Sequence, residues 1–511
     1  MSRRLSYTIA FFVTCFLCIS VNAQTDVPPE IHPSLGTTAK SQDGQITLTL
    51  EGKRQNFGGT ADTRDVAIYS PKSANIHPLG KKYYINSLEG GSTVVYEMVT
   101  NRRLKIIKHV LGPQHATLWS EPSSFYPFTH YEKNNNFMGK PVEATFSHGG
   151  RYLWVPYYRR SYDINAQDPS AVAVIDTETD SIIRLMETGP LPKMIATSHN
   201  GKYVAISHWG NNTVGLIDVE SNNPADWKHA ACLVVDYVLP LNYSTTVSVD
   251  RDNGSGYALR GTVFTPDDRY LLVGCMGGGG GIAVIDMAQQ KYMGRVLGMM
   301  DNVRHLVIRN GYLYLSINGA GYVQRIKLAD FLQAAEGLGN RKTVQVTNWE
   351  SCKVGNGART LELSPSGHFI FVACNIESQL CVVDTRSMTE IVRIDVDSYP
   401  VGLDISEDGK YVIVTSQGRR DRGGNAVNIY RVDYAEPEEW PAGEIDASMA
   451  LSRSNAEPES AADTTSALTA AKQESAEDTS NGKYLAAAIC GGLLVLAATT
   501  AKLRKWKQPK G

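Results

Sequence analysis

Five basic residues recur at one position of a strand that is repeated along this chain. The stretches that open the seven repeats read TRDVAI, PVEATF, PKMIAT, LRGTVF, VRHLVI, ARTLEL and PVGLDI. Their second position holds Arg64, Val142, Lys193, Arg260, Arg304, Arg359 and Val401. With 50 Lys and Arg in 511 residues, five basic residues among these seven exceed a chance distribution. Because Arg offers a planar fork to phosphate or carboxylate, a ring of such groups predicts an anion site.

Further basic residues are expected at the same face of the molecule. If the first strands line a channel, the loops between the second and third strands return to the mouth where the first strands begin. These loops hold Arg159, Arg160, His208, Arg419, Arg420 and Arg422. A concave mouth lined by one sign of charge focuses an electrostatic potential. The predicted ligand-binding residues are therefore Arg64, Lys193, Arg260, Arg304, His305, Arg359, Arg419 and Arg420.

An internal role for the basic residues stays open. Asp65, Glu143, Glu362 and Asp404 lie near them in the sequence and are potential ion-pair partners between repeats. A buried ion pair needs good geometry merely to be neutral in energy, so such pairs would belong to the scaffold. The two interpretations differ in whether the mouth holds compensated charge or excess positive charge.

Other residues whose side chains could take part in catalysis or binding give weaker indications. His305, beside Arg304, is the best acid–base candidate, and a packed or turn-bound histidine is the alternative. Gly277–Gly281 lacks the Lys-Ser/Thr of a phosphate-binding P-loop, which favours a hairpin loop. Beyond residue 23 there is no CxxC pair, and no CxxCH haem motif or metal-ligand spacing stands out. We therefore expect no metal and no cofactor, and the catalytic residues, if there are any, stay unknown.

The elements that position these residues are short strands. The stretch 201–219, GKYVAISHWGNNTVGLIDV, contains strands at Tyr203–Ser207 and Thr213–Asp218 around a polar turn. Similar copies start at positions 81, 150, 268, 311, 367 and 409, with a further strand predicted before each turn and a fourth after the Asp-Thr turn. Four antiparallel strands in each of seven units predict an all-β, seven-bladed β-propeller.

The repeat resembles a known family. The YVTN-type propeller repeat has a Gly-Lys-Tyr-Val start, an Asn-Thr-Val turn and a Val-Ile-Asp-Thr end. GKYV at 201 and 409, NNTV at 211 and VIDT at 174 match it, and the resemblance covers roughly 62–433. It implies the propeller fold. For function it implies little, since the family spans surface proteins, binding proteins and enzyme-like relatives.

Segments of different composition flank the repeats. Residues 1–23 are predicted to be a signal peptide, and 24–61 a lead-in whose strand Ile46–Leu50 closes the propeller of 62–434. Residues 435–482 resemble a disordered stalk, 483–502 an apolar transmembrane helix and 503–511 a basic cytoplasmic tail. An N-terminal anchor and an interfacial C-terminal helix are the alternatives. The prediction is a single-pass cell-membrane protein with a periplasmic or extracellular propeller.

The cysteines and one insertion add smaller expectations. Five cysteines lie in the predicted ectodomain, and Cys374 and Cys381 could form a disulfide across a hairpin or stay as buried thiols. The insertion around ADFLQAAEGLG, 329–339, is predicted to be helical.

Composition sets wide limits on function. The chain is 42% hydrophobic with a net charge of −2, so overall charge implies no partner. The favoured function is a binding or interaction module for an unknown anionic ligand or a protein partner, with nucleic acid as one anion to consider. A lactonase-like hydrolase or oxidoreductase and a structural cell-envelope protein are the alternatives.

Overall fold

The computed structural model describes residues 30–57, 60, 62–126, 136–163, 166, 168–239, 254–339, 341–418 and 424–438. Within these ranges the strands form seven sheets, and successive first strands pack against one another until the last meets the first. This closed ring of antiparallel blades confirms the predicted seven-bladed propeller.

The first strands surround the central channel. They are Pro71–Ile76, Thr145–Ser147, Pro192–Thr197, Leu259–Phe264, Val303–Arg309, Ala358–Leu363 and Pro400–Ile405. The second strands are Lys82–Ser87, Tyr152–Arg160, Tyr203–His208, Tyr270–Cys275, Tyr312–Ile317, Phe369–Cys374 and Tyr411–Ser416.

The outer half of each blade consists of the third and fourth strands. The third strands are Ser92–Glu97, Ser170–Asp176, Thr213–Asp218, Ile282–Asp286, Tyr322–Lys327, Gln379–Asp384 and Ala426–Tyr434. The fourth strands of blades 1 to 6 are Arg103–Lys108, Ser181–Thr188, Lys228–Val234, Lys291–Leu297, Glu350–Lys353 and Thr389–Asp395.

The N-terminal lead-in closes the ring. Strand Ile46–Gln55 pairs antiparallel with Ala426–Tyr434 and becomes the fourth strand of blade 7, with Thr38–Lys40 outside it. The predicted closing strand is thus confirmed and is longer than Ile46–Leu50. At the channel, Gly402 of blade 7 permits close approach to blade 1, because a Cβ there would lie 2.6 Å from the Lys72 carbonyl oxygen.

The apolar core is divided among the spaces between blades. Seven clusters of buried side chains each lie between two neighbouring blades. Strand alternation produces this arrangement, because successive side chains point to opposite faces of a sheet. In blade 4, Leu271 and Val273 pack toward blade 3, while Leu272 packs toward blade 5. The strands are therefore apolar on both faces.

Additional elements decorate the rim. The predicted helix is present as Leu328–Glu336, and its apolar face buries Phe331 against blades 4 and 5. Three further strands extend blades 2 and 4: Val110–Leu111, Phe137–Pro141 and Thr343–Gln345. Short 3₁₀ helices lie at Pro113–Leu118, His148–Gly150 and Pro224–Asp226.

The described ranges bear on two further sequence predictions, the membrane helix and the disulfide. None of the helices in the described ranges is long and apolar enough to cross a membrane. The predicted signal peptide, stalk, membrane helix and tail lie almost wholly outside those ranges. The five described cysteines are free thiols, with the Cys374 and Cys381 Sγ atoms 3.6 Å apart inside blade 6.

Candidate functional site

A β-bulge at the start of the first strand positions each basic residue. The pairing with the second strand shifts register within Pro71–Ser73, Pro192–Met194, Leu259–Thr262, Val303–His305, Ala358–Leu361 and Pro400–Gly402. A bulge leaves an extra residue unpaired in the ladder and re-aims its side chain. The residues inside these shifts include every basic member of the ring, so backbone geometry gathers them at the same mouth of the channel.

The first blade requires a correction. Its first strand is Pro71–Ile76, so Lys72 takes the ring position. Arg64 is exposed and lies upstream in a short bridge to Gln55. Spacing would have revealed this, because Lys193, Arg260 and Arg359 each precede the turn residue Gly201, Asp268 or Gly367 by eight positions. Lys72 precedes Gly80 by the same eight, whereas Arg64 precedes it by 16.

Hydroxyl groups on adjacent blades hold the ring backbone in place. Ser207 Oγ donates to the Arg260 carbonyl oxygen at 3.2 Å, and Ser316 Oγ donates to that of Arg359. At the two positions occupied by valine, Ser73 and Thr360 donate to the carbonyl oxygens of Val142 and Val401, each at 2.8 Å. These bonds tie each start of a first strand to its neighbour and make the mouth a preorganised surface.

Among the residues that the structure describes, four cations converge in the channel beside one carboxylate, that of Glu143. Lys72, Arg260 and Arg359 are 4%, 3% and 7% exposed. Lys72 Nζ lies 3.4 Å from Glu143 Oε1. Burial, then the charge of Arg359, lowers the pKa of Lys72 well below its usual range, against the opposing effect of Glu143. Burial alone would raise the pKa of Glu143, but Lys72, Arg260 and Arg359 hold it below its usual value.

Arg304 and Arg359 are the least compensated members of the ring. Neither forms an ion pair with another described residue. Arg304 Nη1 donates to Asn318 Oδ1 at 3.4 Å, and the Nε atoms of Arg304 and Arg359 have no hydrogen-bond acceptor in the described ranges. Burial, followed by the charges of Arg359 and Arg260, lowers the pKa of Arg304 well below its usual range. The mouth therefore concentrates positive charge that the surrounding protein compensates only in part.

Aromatic rings flank one side of the ring. Lys193 Nζ lies 3.7 Å from the centre of the Tyr158 ring and 5.0 Å from that of Trp209. The Arg260 guanidinium is 5.7 Å from the Trp209 ring. The face of an aromatic ring attracts a cation, so these contacts hold the Lys193 and Arg260 side chains in place without neutralising their charge.

His305 lies deeper in the channel than the cations. Its Nδ1 is 3.1 Å from the Leu361 carbonyl oxygen. Burial lowers the pKa of His305 to about 4, although the Glu143 charge opposes this. The imidazole is therefore neutral at physiological pH and is held between blades 5 and 6, which agrees with the packed alternative.

The loop residues behave differently from the ring. Arg160 is 1% exposed, donates to the Ser170 carbonyl oxygen at 2.9 Å and stacks 4.6 Å from the Phe137 ring centre. His208 is fully buried and accepts from Gly189 N–H at 3.1 Å. Both are packed in the scaffold rather than displayed at the mouth. Half-buried Arg159 lies over Tyr158, and Arg419, Arg420 and Arg422 are outside the described residues.

The glycine run is a hairpin, as predicted. Gly278, Gly279, Gly280 and Gly281 have positive φ between strands Tyr270–Cys275 and Ile282–Asp286. The carbonyl oxygens of Gly278 and Gly280 accept from Arg295 Nη1, so an inward-facing charge occupies the turn. In the described ranges no group of three or more His, Cys, Asp or Glu residues is arranged to hold a metal ion.

Comparisons with known proteins support the fold. No protein-family model matches the chain. No curated protein matches its sequence either. Among solved structures, Kuenenia stuttgartiensis hydrazine synthase is similar at 14% identity and a TM-score of 0.50, over 71% of this chain and 95% of that one. The Myceliophteria thermophila Cps50 (Swd1) β-propeller domain aligns at 11% identity and a TM-score of 0.48, over 75% of this chain and 100% of that one. At such identities the likeness concerns the fold alone.

Proposed function

We propose that this YVTN-type propeller is a binding module that takes an anionic ligand at the basic mouth of its channel. The observation that carries the proposal is the convergence of Lys72, Arg260, Arg304 and Arg359 around one carboxylate, Glu143. Four cations with one acid leave excess positive charge in a site with low-dielectric walls. An anion placed among them would relieve the repulsion by which the Arg359 and Arg260 charges add to burial in lowering the pKa values of Lys72 and Arg304.

The chemistry favours oxyanions. Guanidinium groups bind phosphate or carboxylate through two parallel N–H donors, and such charge-assisted bonds are about twice as strong as neutral ones. The Nε–H groups of Arg304 and Arg359 still lack an acceptor among the described residues. An oxyanion between these two side chains would supply acceptors and negative charge at once.

The decisive test is a calorimetric titration of the purified full chain with inorganic pyrophosphate, citrate and a single-stranded oligonucleotide. The variant R304Q/R359Q removes two charges and keeps most of the side-chain volume. Each charged hydrogen bond is worth roughly 1.5–3 kcal/mol, so we expect at least about a 100-fold loss of affinity for the preferred anion. Arg64→Gln, an exposed arginine outside the ring, is the matched control.

Two outcomes would contradict the proposal. One is that none of the three anions binds the wild-type chain at millimolar concentration. The other is unchanged affinity in R304Q/R359Q together with a large fall in melting temperature. That second result would identify the two arginines as part of the scaffold, because loss of the packing of buried side chains destabilises the fold.

We also propose that the propeller is tethered to a membrane outside the cytoplasm. The support is the sequence pattern alone, a signal-like 1–23 and an uncharged apolar run at 484–501 followed by Lys502, Arg504, Lys505 and Lys507. Protease added to intact cells should remove the propeller and spare a C-terminal tag. Loss of the tag with survival of the propeller would indicate the opposite orientation.

A further inference from the structure

A cavity of about 330 Å³ lies at the end of the channel away from the basic mouth. The ends of the first strands and the turns that follow them form its wall. Four carboxylate residues line it: Glu143, Glu362, Asp404 and Glu407. Phe146, Met194, Leu363 and Leu403 add an apolar surface. The volume is within the range of small-molecule sites, which are mostly apolar with a few placed polar groups.

The carboxylates differ in how far the protein already engages them. Glu143 pairs with Lys72 at 3.4 Å. Asp404 accepts the N–H groups of Ile76 at 2.6 Å and Ile405 at 2.8 Å, which joins blade 7 to blade 1. Glu362 accepts no hydrogen bond from any described residue. It is therefore the carboxylate of this cavity that is available to a ligand.

An amide oxygen adds a second acceptor. Asn75 also lines the cavity and is 8% exposed. Its Nδ2 donates to Ser73 Oγ at 3.1 Å, which directs the side chain, and its Oδ1 accepts no hydrogen bond within the described ranges. An amide oxygen has two lone pairs, so this oxygen can accept from a ligand donor in the cavity.

We propose that the cavity is a second ligand site, distinct from the basic mouth, which binds a small organic cation through Glu362 and Asn75. The ligand class is an alkyl primary ammonium, whose three N–H donors suit a carboxylate and an amide oxygen. Its carbon chain packs on Phe146, Met194 and Leu403. A metal ion fits less well, because the described residues offer no group of three ligands.

The charges around Glu362 support proton exchange on binding. Burial, then the charge of Asp404, raises the pKa of Glu362 to about 8, while Arg309 opposes this. Burial raises the pKa of Asp404 to about 7. Arg309, Glu143, Glu407, His77 and His305 also line the cavity, and burial lowers the pKa values of the two histidines. At neutral pH the cavity thus holds protons that an ammonium ion would replace.

The test titrates 1,4-diaminobutane and n-butylamine into the full chain at about pH 6.5 and about pH 8.5, where an alkylamine stays protonated. Loss of a proton from Glu362 should make binding roughly tenfold or more tighter at the higher pH. Glu362→Gln should weaken binding at the higher pH at least about tenfold and flatten the pH dependence. Glu336→Gln, an exposed acid on the outer helix, is the matched control.

Several results would overturn the proposal. They are no amine binding at either pH, equal binding of the neutral n-butanol, equal affinity in Glu362→Gln, or tighter binding of calcium than of either amine. Asp404→Asn provides a second variant if Glu362→Gln fails to fold. Pyrophosphate binding to Glu362→Gln separates the two sites, since the basic mouth should keep its affinity.

Discussion

The two ends of the channel carry opposite charge, yet the same strands supply both. In blade 6 the first strand contributes Arg359 to the mouth and Glu362 to the cavity. Carboxylates crowded in a buried site can take up protons, which is why the pKa of Glu362 rises to about 8. A guanidinium keeps its proton at neutral pH even when its pKa is lowered. The cavity can therefore neutralise itself by taking up protons, whereas the arginines of the mouth keep their positive charge.

Charge reversal at the mouth should give the largest effect. Arg359→Glu removes one cation and adds an anion beside Lys72, Arg260 and Arg304. We expect anion affinity to fall by about 3 kcal/mol or more, which is on the order of 100-fold, because like charge then faces the ligand. Calorimetry with pyrophosphate measures this. A variant that binds as well as the wild type would show that the ligand does not contact the ring.

Removing the charge at the other end should stabilise the protein at high pH. Since the pKa of Glu362 is about 8 when folded and 4.5 in the ordinary state, the folded chain retains a proton that the unfolded chain releases. Stability from this group is present below the lower value and is lost as pH rises toward the higher one. Glu362→Gln removes this loss and should exceed the wild type by about 2 kcal/mol near pH 9.

Thermal melts at acid and alkaline pH test this second prediction. The difference between Glu362→Gln and the wild type should shrink near pH 5, where the folded carboxyl is protonated and the unfolded one, with an ordinary pKa of 4.5, begins to take up its proton. Glu336→Gln should show no such pH dependence, since that side chain is exposed on the outer helix. A constant difference at all pH values would mean that Glu362 acts through packing and not through its charge.

The salt dependence of ligand affinity should also differ between the two ends of the channel, by a smaller amount than the effects above. Raising ionic strength shortens the Debye length from about 10 Å at 0.1 M to about 3 Å at 1 M, which screens long-range attraction at the open mouth. Pyrophosphate affinity should fall several-fold over this range. Amine binding should change less, because one ammonium on one carboxylate involves fewer charges than pyrophosphate among several cations. Equal salt dependence at both ends would contradict the larger charge at the mouth.

The fold could be predicted from the sequence because each blade repeats the same local signals. Second strands that begin with Tyr or Phe, as at Tyr203 and Phe369, and turns with Gly, as at 201 or 367, each mark six of the seven units. The candidate site is harder to predict from the sequence. A ring position depends on counting back from the turn across a bulge, and a bulge leaves no distinct residue type behind. The acid cavity was missed because Glu143, Glu362 and Asp404 were weighed only as partners of the basic residues.

The loops show the other limit of sequence reasoning. Arg160 and His208 follow the expected strand ends, but insertions outside the repeat bury them. Residues Pro113–Leu118 and Phe137–Pro141 come from a long insertion after blade 1, and Trp119 and Phe137 cover the Arg160 guanidinium. Repeat alignment assigns a residue to a face of the propeller. It does not report what a separate insertion places above that face.

The smallest expected effect tests the corrected alignment itself. Arg64→Met should leave anion affinity unchanged within about twofold, because the charge of an exposed side chain outside the ring is largely screened by salt. Lys72→Met should lower affinity about fivefold, a modest loss, since Glu143 loses its partner and keeps its negative charge near the ligand. Lys72→Met/Glu143→Gln removes both charges and should restore most of that affinity, because the mouth keeps the net charge of the wild type. If Arg64→Met weakens binding more than Lys72→Met does, the anion sits outside the channel, and the eight-residue spacing would identify a structural position but not the ligand site.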